Sequence, residues 1–286
     1  MFHEVRVRSF SSLRRKLEAH ALGAQSSEFV FRGHMDSRWG LNSTFARYIG
    51  SRSEFHSLAI QQMTERMSFG LRSLGETAMN DMSTRGKLEY ARHYGLPSPL
   101  IDFSYSPYVA IWFGFNGIRG SQSANTTAIY ALNWNLLGVC WERFLASSGR
   151  KESYAARYGK PPMDVFRWEL PSYFDDGPVT DDLKFLAKPA SWNTRAQRQM
   201  GCFLYDTVDY ERAGIRGLEE LVSRFGLTNT GPVITKYIIP HSCAREVFDT
   251  LDLLAINGSR LMDDISGVVC DVYNAYNHNP RARSWD

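Results

Sequence analysis

The side chains most able to do chemistry in this sequence fall in three clusters. The first is Glu28-Phe29-Val30-Phe31-Arg32-Gly33-His34, where an arginine ends an apolar run and a glycine follows at once. An arginine at a strand end needs an anion or several acceptors for its guanidinium. Glycine lets a backbone or a ligand come close where any Cβ would obstruct it. Arg32-Gly33 is therefore either a cradle for a phosphate or carboxylate, or one half of an internal ion pair. The second cluster is Arg92-His93-Tyr94-Gly95-Leu96-Pro97 with Asp102-Phe103-Ser104-Tyr105-Ser106-Pro107. It brings an imidazole, phenols, a carboxylate and two hydroxyls into a short turn-strand-turn. Ser104 and Ser106, at alternate positions of an extended segment, share a face that could bind ribose or amide groups. Asp102 or Ser106 could instead cap the helix that Pro107 opens, and His93 could be a packed histidine at a helix end. The third cluster, Asn193-Thr194-Arg195-Ala196-Gln197-Arg198-Gln199-Met200-Gly201, runs amides and guanidinium groups into an apolar strand. Arg195 and Gln199 are there either as donors at a sheet edge or as a solvated approach to the strand.

Other chemistries lack their residues. No Gly-x-Ser-x-Gly, Walker loop, Gly-x-Gly-x-x-Gly or His-Glu-x-x-His occurs. Cys140, Cys202, Cys243 and Cys270 stand far apart, so zinc-ribbon and Cys-x-x-Cys redox readings fail, no metal is expected, and a reducing compartment fits best. A formal charge of +3 permits contact with nucleic acid without demanding it. The 13% aromatic content suits a stacking pocket, although most such rings serve as core. The first residues carry no apolar signal region and no stretch is long enough to span a bilayer, so a cytoplasmic protein with no membrane partner is expected.

The elements that must position these clusters follow from periodicity and punctuation. Residues 9–20 read as a capped amphipathic helix with a basic face. Phe29 to Arg32 is a strand. Trp39 opens a helix-rich stretch that runs, broken at Gly70 and Gly75, to about Tyr94, with Phe55, Leu58, Ala59, Met63 and Met67 at helical spacing. Tyr94 to Leu100 is a turn, because Pro97 and Pro99 forbid helix. A uniformly apolar and therefore buried helix spans Tyr108 to Phe115. Strands are predicted over Thr126–Leu132, Met200–Asp206 and Val233–Ile239, and a helix over Ala244–Ala255 with Asn257-Gly258 as its stop. The middle, from Leu137 to Pro189, reads as irregularly connected helices and loops, and Asn274 to Asp286 as a polar, frayed tail. With no internal repeat and no low-complexity linker, one α+β domain with helical insertions is the simplest architecture.

In this order the three clusters resemble the FRG domain, a family named for its Phe-Arg-Gly signature. Phe31-Arg32-Gly33 with Trp39-Gly40-Leu41 and Phe45-Ala46-Arg47 is similar to the family's opening. Ala91 to Pro97 and Asp102 to Pro107 resemble its central motif, Asn193 to Phe203 its Arg-x-x-x-Gln-x-Gly-x-Phe motif, and Asn257-Gly258 through Leu261-Met262-Asp263-Asp264-Ile265-Ser266-Gly267 its closing segment. Pro99, Phe103 and Ser104 depart from the residues common in the family. The resemblance divides the chain into an N-terminal helical segment (1–27), an FRG domain (28–270) and a polar tail (271–286).

The family's motifs in turn look like those of ADP-ribosyltransferases. That likeness implies an α+β single domain with an ADP-ribosyltransferase-like split β-sheet core, and NAD as substrate. It implies Arg32 on the NAD phosphate and ribose, Ser104 and Ser106 at the nicotinamide, and Gln199 where that class has a glutamate. Asp102 is the nearest carboxylate that could substitute, since a glutamine cannot accept a proton. Gly33 and Arg195 would border the nucleotide, His93 would bind ribose, and Tyr94 or Tyr105 would stack on nicotinamide. The activity implied is mono-ADP-ribosylation of a macromolecule, RNA or protein, by a bacterial toxin or anti-phage defence effector held in check by a neutralising antitoxin. NAD hydrolysis in the same pocket, or a non-catalytic nucleotide- or nucleic-acid-binding module, are the alternatives.

Overall fold

Short strand-forming runs separated by long helical stretches have to pair out of sequence order. The computed structural model describes residues 1–23, 26–49, 56–77, 79–118, 125–167, 182–262 and 264–278. Its strands are β1 (Phe2–Arg6), β2 (Phe29–His34), β3 (Leu100–Ser104), β4 (Thr126–Asn133), β5 (Leu183–Leu186), β6 (Gly201–Asp206) and β7 (Ile234–Pro240). Before β4 lie helices α1 (Phe10–Leu22), α2 (Thr44–Ile49), α3 (His56–Ser73), α4 (Thr84–His93) and α5 (Pro107–Phe115). After it come α6 (Trp134–Ser147), α7 (Lys151–Tyr158), α8 (Pro162–Phe166), α9 (Thr194–Arg198), α10 (Leu218–Phe225), α11 (Ala244–Leu253), α12 (Gly258–Leu261) and α13 (Ile265–His278).

The strands form one sheet in the order β1-β7-β4-β2-β3-β6-β5. The β1/β7 pair is parallel and the other pairs are antiparallel. The ladder is uneven. Six register pairs join β2 to β4, from Phe29↔Asn133 to His34↔Ala128, and five join β3 to β6, but only Phe31↔Ser104 joins β2 to β3. The sheet is thus two leaves, β1-β7-β4-β2 and β3-β6-β5, hinged on a single residue pair. An apolar core runs unbroken under one face, with Val30, Ile101, Cys202 and Leu204 packing on Trp141 of α6 and Leu221 of α10. On the other face the core is divided. Phe31 and Ile129 pack with α1, α5 and α11, while Leu100, Phe203 and Tyr205 pack with Phe45, Ile60 and Leu88 of α2, α3 and α4.

Helix α5 sets the geometry at the division. Ser106 caps it, its Oγ accepting from the Val109 N–H, and Pro107 supplies the fixed φ of a first helical residue. Its residues are apolar all round, and it buries most of its surface. It lies so close on β2 that a methyl group at Gly33 would come within 2.8 Å of the Gly114 Cα and closer still to the Ala110 carbonyl oxygen. A methyl at Gly114 would in turn meet Ile129 Cδ1 at 2.7 Å and Thr127 Cγ2 at 2.8 Å. Gly33 is therefore a helix-packing glycine.

Several sequence expectations need correction. Residues 1–27 hold the expected helix, capped by Ser9, but also β1, which pairs with β7 and so belongs to the sheet. Trp39 does not start a helix: Asp36 accepts from the Arg38 N–H in a turn, and helix begins only at Thr44. Helix α3 runs through Gly70 and ends before Gly75, whose φ of 81° is left-handed. Asn257 does not stop a helix; its side chain accepts from the Arg260 N–H and starts α12. The polar tail is helical as far as His278, because α13 buries Asn274, which donates to Asn116 Oδ1 at 3.1 Å. The same helix leaves Ile265, Val272 and Tyr276 exposed. Phe55, Asp263, residues 168–181 of the middle stretch and residues 279–286 of the tail lie outside the described residues. Among the described residues no helix is long and apolar enough to cross a membrane.

Gly33→Ala is expected to destabilise the fold by about 3 kcal/mol, the upper end of ordinary overpacking costs. A denaturant midpoint equal to that of the wild type would show that α5 can give way.

Candidate functional site

A cavity of about 540 Å3 opens where the two leaves part, walled by β2, β3, α4, α5 and α9. Its floor follows from the unfinished ladder. Beyond Phe31↔Ser104 no β2 partner reaches the Asp102 carbonyl, and a buried carbonyl must find a donor elsewhere. It finds the side chain of Arg32, whose Nη1 donates to it at 2.6 Å. The Arg32 Nε donates to His34 Nε2 at 2.7 Å. The Asp102 carboxylate takes a two-pronged contact from Arg92, Nε to Oδ1 at 2.5 Å and Nη2 to Oδ2, and lies 3.6 Å from Arg32 Nη1. Arg92 also donates to Thr44 Oγ1 at 3.3 Å, which ties α4 to the start of α2.

Burial and charge act on this cluster in opposite directions. Burial pushes the Asp102 carboxyl up, but Arg92 and then Arg32 outweigh it and hold the group below the ordinary carboxylate range. Arg32 is drawn down to about 10, first by burial and then by the neighbouring guanidinium groups of Arg92 and Arg47, with Asp102 opposing. The cluster is short of negative charge. His34 is pulled down to about 3 by burial and by the Arg32 charge, so it is a neutral imidazole. Because Nε2 accepts from Arg32, its proton sits on Nδ1, 3.5 Å from the Trp39 carbonyl oxygen. That carbonyl also accepts from Tyr130 Oη at 2.7 Å, which fixes the backbone of Trp39 at the cavity wall while the indole stays 49% exposed.

The cavity gathers Arg32, Gly33, His93, Asp102, Ser104, Arg195 and Gln199 of the sequence candidates. Their tasks differ from those expected. Asp102 is the internal ion-pair partner of two arginines, so it is no free base. Gly33 borders the cavity, but its missing side chain makes room for α5. Ser104 donates to the Gln199 carbonyl at 2.7 Å and accepts from the Ser106 N–H, fastening β3 to the end of α9. Gln199 donates its side-chain amide to the Leu261 carbonyl at 3.0 Å, holding α12. Tyr94, Tyr105 and Ser106 do not line the cavity. Strand β3 ends at Ser104, so the alternation that would have kept Ser106 beside it stops there, and Ser106 caps α5. Tyr105 packs against the core on the sheet's other face and donates to the Ala187 carbonyl. Tyr94 caps the end of α4 with its ring 64% exposed.

Arg47, Arg92, His34 and Trp39 were not singled out as site residues. Arg92 and His34 each stood beside a chosen residue, and both Arg47 and Trp39 lay in the motif segments. The irregular backbone from Met35 to Ser43 brings Trp39 to the cavity wall, where a helix from Trp39 was expected. Glu89 also lines the wall and is fully engaged, accepting from Arg85 Nε at 2.9 Å, the Ala190 N–H at 2.9 Å and Asn193 Nδ2 at 3.0 Å. Among the described residues no group of three or more His, Cys, Asp or Glu is placed to hold a metal ion.

The fold and site define a mixed α/β protein whose sheet is parted around an arginine-lined cavity. Residues 27–123 match the family model described as the FRG domain, and the chain carries an FRG domain over that span. The span includes β2, α4, β3 and α5, the elements that build most of the cavity wall. Searches of curated proteins and of solved structures find no match.

Asp102→Asn is expected to cost about 1–2 kcal/mol, because two largely buried guanidinium groups lose a counter-charge that is itself partly open to solvent; equilibrium unfolding at neutral pH measures it, and a midpoint equal to that of the wild type would make the cluster dispensable. His34 gives an acid limb to stability. Its folded pKa lies below the unfolded value of 6.5, so its contribution is complete above that pH and is lost on acidification toward about 3. The wild type should lose about 1.4 kcal/mol more per pH unit between pH 6 and 4 than His34→Gln. Parallel stability profiles for the two proteins would refute a neutral buried His34.

Proposed function

We propose that the chain is a mono-ADP-ribosyltransferase that takes NAD into the cavity between the leaves and transfers ADP-ribose to a macromolecule. The observation that carries this reading is the charge imbalance of the cavity wall. Arg32, Arg47, Arg92 and Arg195 face Asp102 and Glu89, and Glu89 is already balanced by Arg85 behind the wall. A pyrophosphate brings two negative charges close together and suits planar, fork-shaped donors. It would also relieve the penalty that burial and crowding impose on Arg32. The half-exposed Trp39 indole offers a face for the nicotinamide or adenine ring in place of the tyrosines expected from the sequence. The parted sheet supports an ADP-ribosyltransferase-like core, in which the dinucleotide lies across the split.

The chemistry needs positioning more than proton transfer. The bond from ribose C1′ to the nicotinamide nitrogen breaks, and its electron pair leaves on that nitrogen. A lone pair of the acceptor forms the new bond to C1′, and the acceptor's proton passes to water. Arg32 and Arg92 would hold the pyrophosphate. Asp102, kept ionised, would face the positive charge that develops on the ribose. One observation favours a second reading: both carboxylates of the wall are engaged by arginines, as suits a nucleotide-binding module without catalysis.

Incubation with NAD labelled on its adenylate half, together with protein and RNA fractions, separates these readings. Label transfer and nicotinamide release are expected, both falling at least tenfold in Arg32→Ala, with Arg32→Lys as a charge-preserving companion. Nicotinamide release without transfer would mean an NAD hydrolase, and NAD binding with neither would mean a binding module. A folded wild-type chain that binds no NAD sinks the proposal. The toxin role that the resemblance implies predicts growth arrest on expression, relieved by Arg32→Ala.

A further inference from the structure

Outside the cavity, the C-terminal end of α4 and the loop leading into α9 form a second chemical surface. Tyr94 is 64% exposed and Trp192 37% exposed. The Tyr90 ring lies between them, 4.9 Å from Tyr94 and 5.8 Å from Trp192, centroid to centroid. The three rings come from two separate elements, yet they are held in place. Glu89, one residue before Tyr90, accepts from the side chain of Asn193, one residue after Trp192, and so clamps loop to helix. The cluster adjoins the cavity mouth, since His93, whose ring lies 5.0 Å edge-on to Tyr94, and Arg195 both line the wall. Arg198 lies exposed one helical turn along from Arg195.

Exposed rings on a rigid base, flanked by guanidinium groups, are the makings of a stacking platform for nucleic acid. Every base has a face to stack, and every linkage carries a phosphate for an arginine. A duplex hides its base faces, so the platform suits an unpaired strand. A protein partner would call for an apolar anchor pocket, whereas this surface sets exposed rings beside arginines.

We propose that this rim is the acceptor subsite, that it binds a single-stranded nucleic acid by stacking on Tyr94 and Trp192 with backbone phosphates on Arg195 and Arg198, and that it delivers a base to the cavity mouth. As an acceptor site it rests on the transferase reading; as a strand-binding surface it is tested without NAD. The full chain is titrated into a fluorescent twelve-nucleotide RNA of mixed sequence, the same sequence as DNA, and its duplex. Binding to the single strands is expected, weakening as salt rises, with the duplex at least tenfold weaker. Tyr94→Ala with Trp192→Ala should weaken binding at least tenfold, and Tyr94→Phe with Trp192→Phe should restore it. Each variant is first shown to unfold at the wild-type midpoint. Equal affinity for duplex and single strand, or an alanine pair that binds like the wild type, overturns the platform. So does transfer of label from NAD to a protein fraction that the alanine pair leaves unchanged. A wild-type chain that binds NAD but no oligonucleotide refutes the platform alone; one that binds oligonucleotide but no NAD refutes the transferase reading and leaves the strand-binding surface standing.

Discussion

Everything at the centre of this molecule hangs on the contact between the Arg32 guanidinium and Asp102. It completes a sheet that its own backbone leaves incomplete. Where β2 and β3 separate, a carbonyl that would ordinarily face a strand N–H is met by a side chain reaching across the gap. The carboxylate of the same residue then recruits Arg92 from α4 and, through it, Thr44 at the start of α2. One residue on β3 thus links both leaves and the helical layer over the second leaf. The gap can stay open because its polar edges are satisfied from within, which is the condition for any cleft cut into a sheet.

The electrostatic character of the cavity follows from the same contact. A lone carboxylate among several guanidinium groups satisfies hydrogen bonds without neutralising charge. Such a cluster is poor at stabilising a fold in its own right, since desolvating each ion is costly. On the proposed reading its missing counter-charge arrives with the dinucleotide's pyrophosphate. By contrast Glu89, fully buried where Asp102 is partly open to solvent, is matched by Arg85, Asn193 and a backbone N–H, and its role is to brace the wall.

The sequence was legible where signals were local. The cap at Ser9, the Ser106-Pro107 start of α5, and strands β4, β6 and β7 all stand within a residue or so of where periodicity and punctuation put them. Strand β1 was hidden because an edge strand with mostly exposed residues has no apolar pattern, and its partner β7 lies at the far end of the chain. Strand β5 was hidden because Lys184 interrupts its apolar run; the lysine is tolerated only because Asp182 and Tyr158 meet it inside. At the site, the clusters at Arg32, His93, Asp102 and Gln199 do converge. The errors at Ser106, Tyr105 and Tyr94 come from strand and helix ends, where one residue decides which way a side chain faces. Whether Arg32 would meet a carboxylate or an anion was open from sequence; it meets Asp102 and still borders the cavity.

The tripeptide Phe31-Arg32-Gly33 owes its brevity to the direction in which the strand runs. Three neighbours on β2 address three different parts of the molecule: the phenyl ring goes to the core beneath α5, the guanidinium crosses to the other leaf, and the glycine admits a helix backbone. None of the three partners is near in sequence. A signature of this kind works as a crossing point, in which each letter reports on a different distant neighbour. It follows that its letters are not interchangeable evidence. A chain that kept the arginine but not the glycine would keep the chemistry without the place to hold it, and one that kept the glycine but not the arginine would preserve an architecture emptied of its charge.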